Sequence, residues 1–135
     1  MKPNTDSSAE YEVERRDLHA ERPGFRISEL QISSSQTVPW HFHRFVDDTF
    51  CVLNGRIRVS MREPDEDVVL GPGETRTVGR LRPHSVANAG PDSATYLILQ
   101  GIGQYDYVPV TRTSELTARR SDGAHEASCD EDRRE

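Results

Sequence analysis

No apolar run in this chain approaches the ~20 residues that a helix needs to cross a bilayer, which argues against a membrane-spanning protein. The opening Met-Lys-Pro-Asn-Thr-Asp has no apolar stretch of the signal-peptide kind, so the cytoplasm is the expected compartment. Cysteine is scarce too. Cys51 and Cys129 are too few for a disulfide framework, and neither has a CxxC partner for a thiolate metal site. A basic surplus is also missing: the formal charge is −6, and the five arginines beyond position 110 are interleaved with seven acids. Nucleic-acid binding needs a concentrated cationic surface to release phosphate counterions, so it is not expected. Hydrophobic residues make up 33% of the chain and charged residues 30%, which is lean for a packed domain.

The shortage is uneven. Nearly all the Ile, Leu, Val, Phe and Trp fall between Phe25 and Val110, while both ends are rich in Glu, Asp, Arg and Ser. A chain of 135 residues suits one modest core. We therefore expect a polar segment over residues 1–20, a compact domain over 21–110, and an unstructured polar tail over 111–135.

Helix signals are scarce, with short candidates only around residues 9–16 and 113–120. A period of two dominates instead. Ile57, Val59 and Met61 alternate with Arg56, Arg58, Ser60 and Arg62, giving a strand one apolar and one solvated face. TFCVLNGRIRV reads as a hairpin about an Asn54-Gly55 turn. GFRISELQIS is a further strand whose apolar set shifts from Phe25 and Ile27 to Leu30 and Ile32, so a bulge near Ser28 and Glu29 or an irregular edge is expected. TYLILQGIG is a strand apolar on both faces, and EPDED is a solvated connection. Short strands punctuated by turns indicate an all-β sandwich or barrel.

PWHFHRFVDDTFCVLNG is the unusual stretch. On an extended strand His41 and His43 point to one face, about 7 Å apart along the backbone, and can converge on one ion at about 2.1 Å each. The chain then passes through Asp47 and Asp48, either of which offers a carboxylate. An HxH pair by itself is often mere polar exposure on a strand. His84 is the candidate third imidazole, followed four positions later by Asn88. Neutral imidazole plus carboxylate suits Fe(II), Mn, Zn, Ni or Cu and selects none of them.

These residues resemble the two motifs of the cupins, small metal-binding β-barrels. His41, His43, Asp48 and Gly55 match the first motif, with Asp in place of the more usual Glu. Gly73, His84 and Asn88 match the second, where Gly79 and Leu81 replace the family's Pro and Gly. The resemblance covers about residues 25–108. It implies a single double-stranded β-helix (jelly-roll) barrel, with His41, His43, His84 and Asp48 as ligands of a divalent transition metal. Asp47 fits an alternative spacing but would share a face with Thr49 and Cys51. A homodimer paired through an edge strand is also implied.

Around that site, Phe50, Val52, Ile57, Val59 and Met61 are expected in the core or pocket wall, and Trp40 under the barrel. Tyr96, Tyr105 and Tyr107 are candidates for proton donors near the metal; Arg76, Arg80 and Arg82 are expected to be exposed. The first functional expectation is a metal-dependent enzyme acting on a small organic molecule, by oxygenase or redox-neutral lyase or isomerase chemistry, in a pocket otherwise apolar. The alternative is a module that binds or senses a metal or small ligand without turnover, since a fold does not dictate an activity.

Overall fold

The computed structural model describes residues 11–110. Ten strands make up its regular structure: β1 (Arg15–Arg22), β2 (Phe25–Ile32), β3 (Thr37–Phe42), β4 (Asp47–Asn54), β5 (Ile57–Met61), β6 (Glu66–Leu70), β7 (Thr75–Val78), β8 (His84–Asn88), β9 (Ala94–Gly101) and β10 (Val108–Pro109). They form two five-stranded sheets, ordered β1-β2-β9-β4-β7 and β10-β3-β8-β5-β6, with every pairing antiparallel. Apart from the paired neighbours β1–β2 and β5–β6, consecutive strands alternate between the sheets, as the expected jelly-roll barrel requires. No helix is long and apolar enough to cross a membrane among the described residues.

The core lies between the two sheets. Leu30, Ile32, Val52, Tyr96 and Ile98 from the first meet Val38, Ile57, Val59, Met61 and Val86 from the second, all buried. Phe50 joins them, so the alternation read along β4 and β5 is realised. Each fully buried aliphatic of this kind contributes about 1.5–3 kcal/mol through the water it sheds.

Three local expectations are corrected. The helix at 9–16 does not form in its described part: residues 11–14 are irregular and Arg15 opens β1. That segment lacks an apolar face at helical spacing, and β1 satisfies its backbone by pairing with β2 from Arg15↔Gln31 to Arg22↔Phe25. The paired sheet thus starts at Arg15, ahead of position 21, while the helix expected at 113–120 lies outside the described residues. Secondly, β2 carries no bulge against β9. Its inward set is Arg26, Ser28, Leu30 and Ile32, so the apparent shift records polar side chains on the inner face. The irregularity sits instead in β1, between Leu18 and Ala20.

Thirdly, Asn54-Gly55 does not close a hairpin. β4 pairs with β7 and β9, whereas β5 pairs with β6 and β8, so the turn carries the chain from one sheet to the other. Gly55 has φ +77°, and a Cβ there would stand 2.9 Å from both the Ala94 Cα and the Ser93 carbonyl oxygen. Strain and contact act together at this crossing. Gly55→Ala is therefore expected to lower unfolding stability by about 2–4 kcal/mol, read as a shift of the urea midpoint. A shift worth less than about 0.5 kcal/mol would show that the crossing tolerates a side chain.

Candidate metal centre

Strand register assembles the site. On the second sheet His41 pairs with His84 and His84 with Met61, forming one inward rung across β3, β8 and β5. Facing it, Arg26, Gln100, Asp48 and Val78 form a rung across β2, β9, β4 and β7. A bulge in β3 supports the first rung: three steps from Val38 to His41 oppose two steps from Val86 to His84. The extra residue restores His41 to the inner face and leaves Pro39 exposed. His43 follows directly after β3, where the chain begins its crossing to β4.

His41, His43, Asp48 and His84 are buried, at most 4% exposed, and one ligand atom from each lies within 4.8 Å of the others. Each imidazole uses Nδ1 on a backbone carbonyl: His41 on Pro39 at 2.8 Å, His84 on Arg82 at 2.9 Å and His43 on Asp106 at 2.5 Å. A carbonyl can only accept, so all three Nδ1 atoms carry the proton and a neutral ring presents Nε2 as a lone pair. Nε2 of His43 and of His84 lie 3.0 and 3.1 Å from the same Asp48 oxygen, Oδ2. Lone pairs would face a carboxylate there unless a positive centre, a proton or a metal ion, stood between them. Backbone-oriented histidines with converging Nε2 atoms are the arrangement that metal-ligating imidazoles adopt.

The shorter Asp48 side chain reaches the imidazoles. Gln100 Nε2 donates to its other oxygen, Oδ1, at 2.9 Å, which turns Oδ2 toward the cage. Burial opposes ionisation of Asp48, yet hydrogen bonds from His43 and His84 outweigh it and hold the carboxyl far below the usual range. Burial likewise pushes His43 down, but the Asp48 hydrogen bond and charge reverse this and leave the ring above its ordinary value. His41 is driven well below its ordinary value by burial, then by the charges of His84 and His43. Asp47 faces outward, where it accepts from the Arg80 backbone N–H at 2.9 Å.

Behind His84 the turn survives its substitutions. Leu81 takes φ +71°, a left-handed conformation that glycine adopts freely, and its N–H donates to the His43 carbonyl at 2.7 Å. The loop before His84 is thereby tied to the strand end that carries His43. Asn88 braces the far end of β8, its amide donating to the carbonyls of Ile32 and Asp92.

The pocket is not the apolar one expected. A cavity of about 20 Å³ beside the cage is lined by Arg16, Arg26, Ser28, Gln100 and four tyrosines, as well as by core aliphatics. Tyr96, Tyr105 and Tyr107 all border it, Tyr107 stacking on His41 with ring centroids 4.5 Å apart. Tyr96 is fully buried, and its hydroxyl has no hydrogen-bond partner among the described residues. Burial holds its phenol proton well above the usual value, so the group stays a donor. Arg26, Gln100 and Tyr105 also border an outer cavity of about 540 Å³. Sequence reasoning missed Arg26, Ser28 and Gln100. Their signal was present as polar residues at inward positions of β2 and β9, where a core strand would carry aliphatics.

Other candidates lie elsewhere. Trp40 is half-buried on the outside, with the Arg62 guanidinium 4.2 Å from its ring centroid, because the β3 bulge turns it away from the interior. Arg76 and Arg82 bond Glu66, which draws the expected solvated loop into the start of β6. Cys51 is half-buried on the outer face of β4.

Comparison with known proteins agrees with this architecture. The family model described as a cupin domain matches residues 29–100. No curated protein matches the chain. A conserved double-stranded β-helix protein of Klebsiella pneumoniae superposes with TM-score 0.65 at 17% identity, over 82% of this chain and 99% of that one. KdgF from Halomonas sp. gives 0.59 at 18%, over 71% and 92%. Oxalate decarboxylase of Bacillus subtilis, a protein with Mn(II) centres, gives 0.60 at 14%, over 64% of this chain and 24% of that one. These identities speak to the fold alone. With more than half of its length matched by the family model, the chain belongs to the cupin family.

Proposed function

We propose that the protein is a metal-dependent cupin enzyme acting on a small organic molecule, by oxygenase or redox-neutral lyase or isomerase chemistry. His41, His43 and His84 would hold the ion through Nε2 and Asp48 through Oδ2. One observation carries this reading: three imidazoles with Nδ1 committed to the backbone converge with one carboxylate beside a cavity of about 20 Å³. A bound divalent ion would supply Lewis acidity toward a chelating oxygen or nitrogen, and with Fe(II) an affinity for dioxygen. The chain's own groups supply the rest: Gln100 orients the carboxylate, the buried walls exclude bulk water, and Tyr96 offers a protonated hydroxyl.

Elemental analysis of protein purified without chelator is expected to find about one transition-metal ion per chain, given the single four-ligand cluster among the described residues. Dioxygen uptake with candidate substrates then separates oxygenase from redox-neutral chemistry. Metal-free protein that refuses Fe(II), Mn(II), Zn(II), Ni(II) and Cu(II) alike would remove the basis of the proposal.

We propose a homodimer as well. Phe25, Leu53 and Leu99 stand exposed on the outer side of the first sheet, apolar side chains that association would cover. Gel filtration at micromolar concentration should return twice the chain mass, and a monomer there would refute the assignment.

A further inference from the structure

We propose that the ligand of this site is a small organic anion, its carboxylate held by Arg26 at the neck between the two cavities. The inference deepens the metal-dependent reading and rests on it for the ligand's other contact, a second oxygen directed at the histidine cage.

Charge is the first ground. Among the described residues lining the inner cavity, Asp48 is the one carboxylate, and it is already engaged by His43, His84 and Gln100. Arg16 and Arg26 line the same wall as permanent cations. A divalent ion in the cage would make the chamber more positive still, in a chain whose formal charge is −6. A buried cleft of one sign concentrates ligands of the other.

Position is the second. Arg26 is 7% exposed, on the same rung as Gln100 and Asp48, and it borders both cavities. Its guanidinium lies 4.0 Å from the Tyr105 ring centroid, a stacking contact that fixes the plane of the fork. A planar fork held in this way suits a two-point grip on a carboxylate. Volume adds a constraint: about 20 Å³ beside the cage admits a group the size of one water, while about 540 Å³ outside accommodates the body of a small molecule. The Tyr96 hydroxyl, buried without a partner in the inner wall, calls for an oxygen acceptor that an oxyanion supplies. Glu21, the acid of the outer cavity, is exposed beside Arg22 and does not reverse the sign of the neck.

The test uses zinc-loaded protein and titration calorimetry with three acid and amide pairs: glycolate and glycolamide, lactate and lactamide, mandelate and mandelamide. Zinc itself favours the acids, so the deciding quantity is how the acid–amide gap changes when Arg26 is replaced. In at least one pair, Arg26→Gln should weaken the acid at least about tenfold and the amide less than about twofold, with Arg26→Lys between. Tyr96→Phe should weaken acid and amide alike, by about fivefold, as expected for one lost hydrogen bond. Zinc content, measured on every sample, separates the two readings. Protein that holds zinc but binds no acid, or whose gap persists in Arg26→Gln, overturns the anion proposal alone. Where zinc is refused, whichever of Fe(II), Mn(II), Ni(II) and Cu(II) the protein retains takes its place in the same titration, and wild-type protein that retains none of the five overturns both. If Arg26→Gln does not fold, Arg26→Lys decides, and an unreduced gap in it counts against the proposal.

Discussion

His84→Ala is expected to abolish metal retention while leaving a folded barrel. The position is the second-motif half of the cage: His84 pairs with His41 in the β3–β8 ladder and places Nε2 3.1 Å from Asp48 Oδ2. Removing it takes one of four donors, and the loss should exceed the 10–100-fold that loss of an orienting partner outside the ligand set typically costs. Folding is affected less. The ring is 1% exposed and packs edge-on to Phe50 at 5.9 Å, so truncation leaves a hole worth about 2–4 kcal/mol. His84→Gln fills most of that hole and should recover stability without recovering metal. Elemental analysis and far-UV circular dichroism of the two variants check this. Full metal occupancy in a folded His84→Ala protein would exclude His84 from the ligand set, whatever the activity.

Metal affinity is expected to rise steeply with pH up to the point where His43 loses its proton, and to level off above it. In the metal-free protein Asp48 holds His43 protonated beyond its ordinary value, while His41 is already neutral. A metal ion and that proton compete for the same Nε2, so binding expels about one proton and affinity changes about tenfold per pH unit below the His43 pKa. Chelator competition with Zn(II) between pH 5.5 and 8.5, with calorimetry in two buffers of different ionisation enthalpy, measures the slope and the released proton. Asp48→Asn removes the charge that raises His43. It should flatten the slope above pH 6.5 and weaken binding at every pH. A wild-type affinity independent of pH over this range would mean that the imidazoles do not ligate the ion.

Much of the barrel was legible because strand alternation is a local property. Ile57, Val59 and Met61, read as one face of a strand, are all in the core. The histidines were legible because their motif spacing is local as well. Gly55 was read correctly as a turn residue and wrongly as a hairpin: its positive φ is intrinsic to the turn, but which sheet receives the next strand depends on partners tens of residues away. In β2 the polar pair Arg26 and Ser28 broke the apolar pattern, and a strand seen alone offers no way to tell a bulge from a functional wall. Trp40 failed for a related reason. Only the register of β3 against β8 reveals the extra residue that turns it outward.

By itself, then, the sequence determined the class of fold and pointed to the four residues of the candidate cage, since side-chain alternation, turn glycines and motif spacing are written along one strand at a time. Tertiary structure alone decided that Asp48, on the opposite sheet from His84, lies within hydrogen-bond distance of Nε2 of both His43 and His84. It alone brought Arg26, Gln100 and Tyr96 to the same cavity. Contacts across a barrel are set by the register of strands far apart in the chain, and no local pattern carries that information.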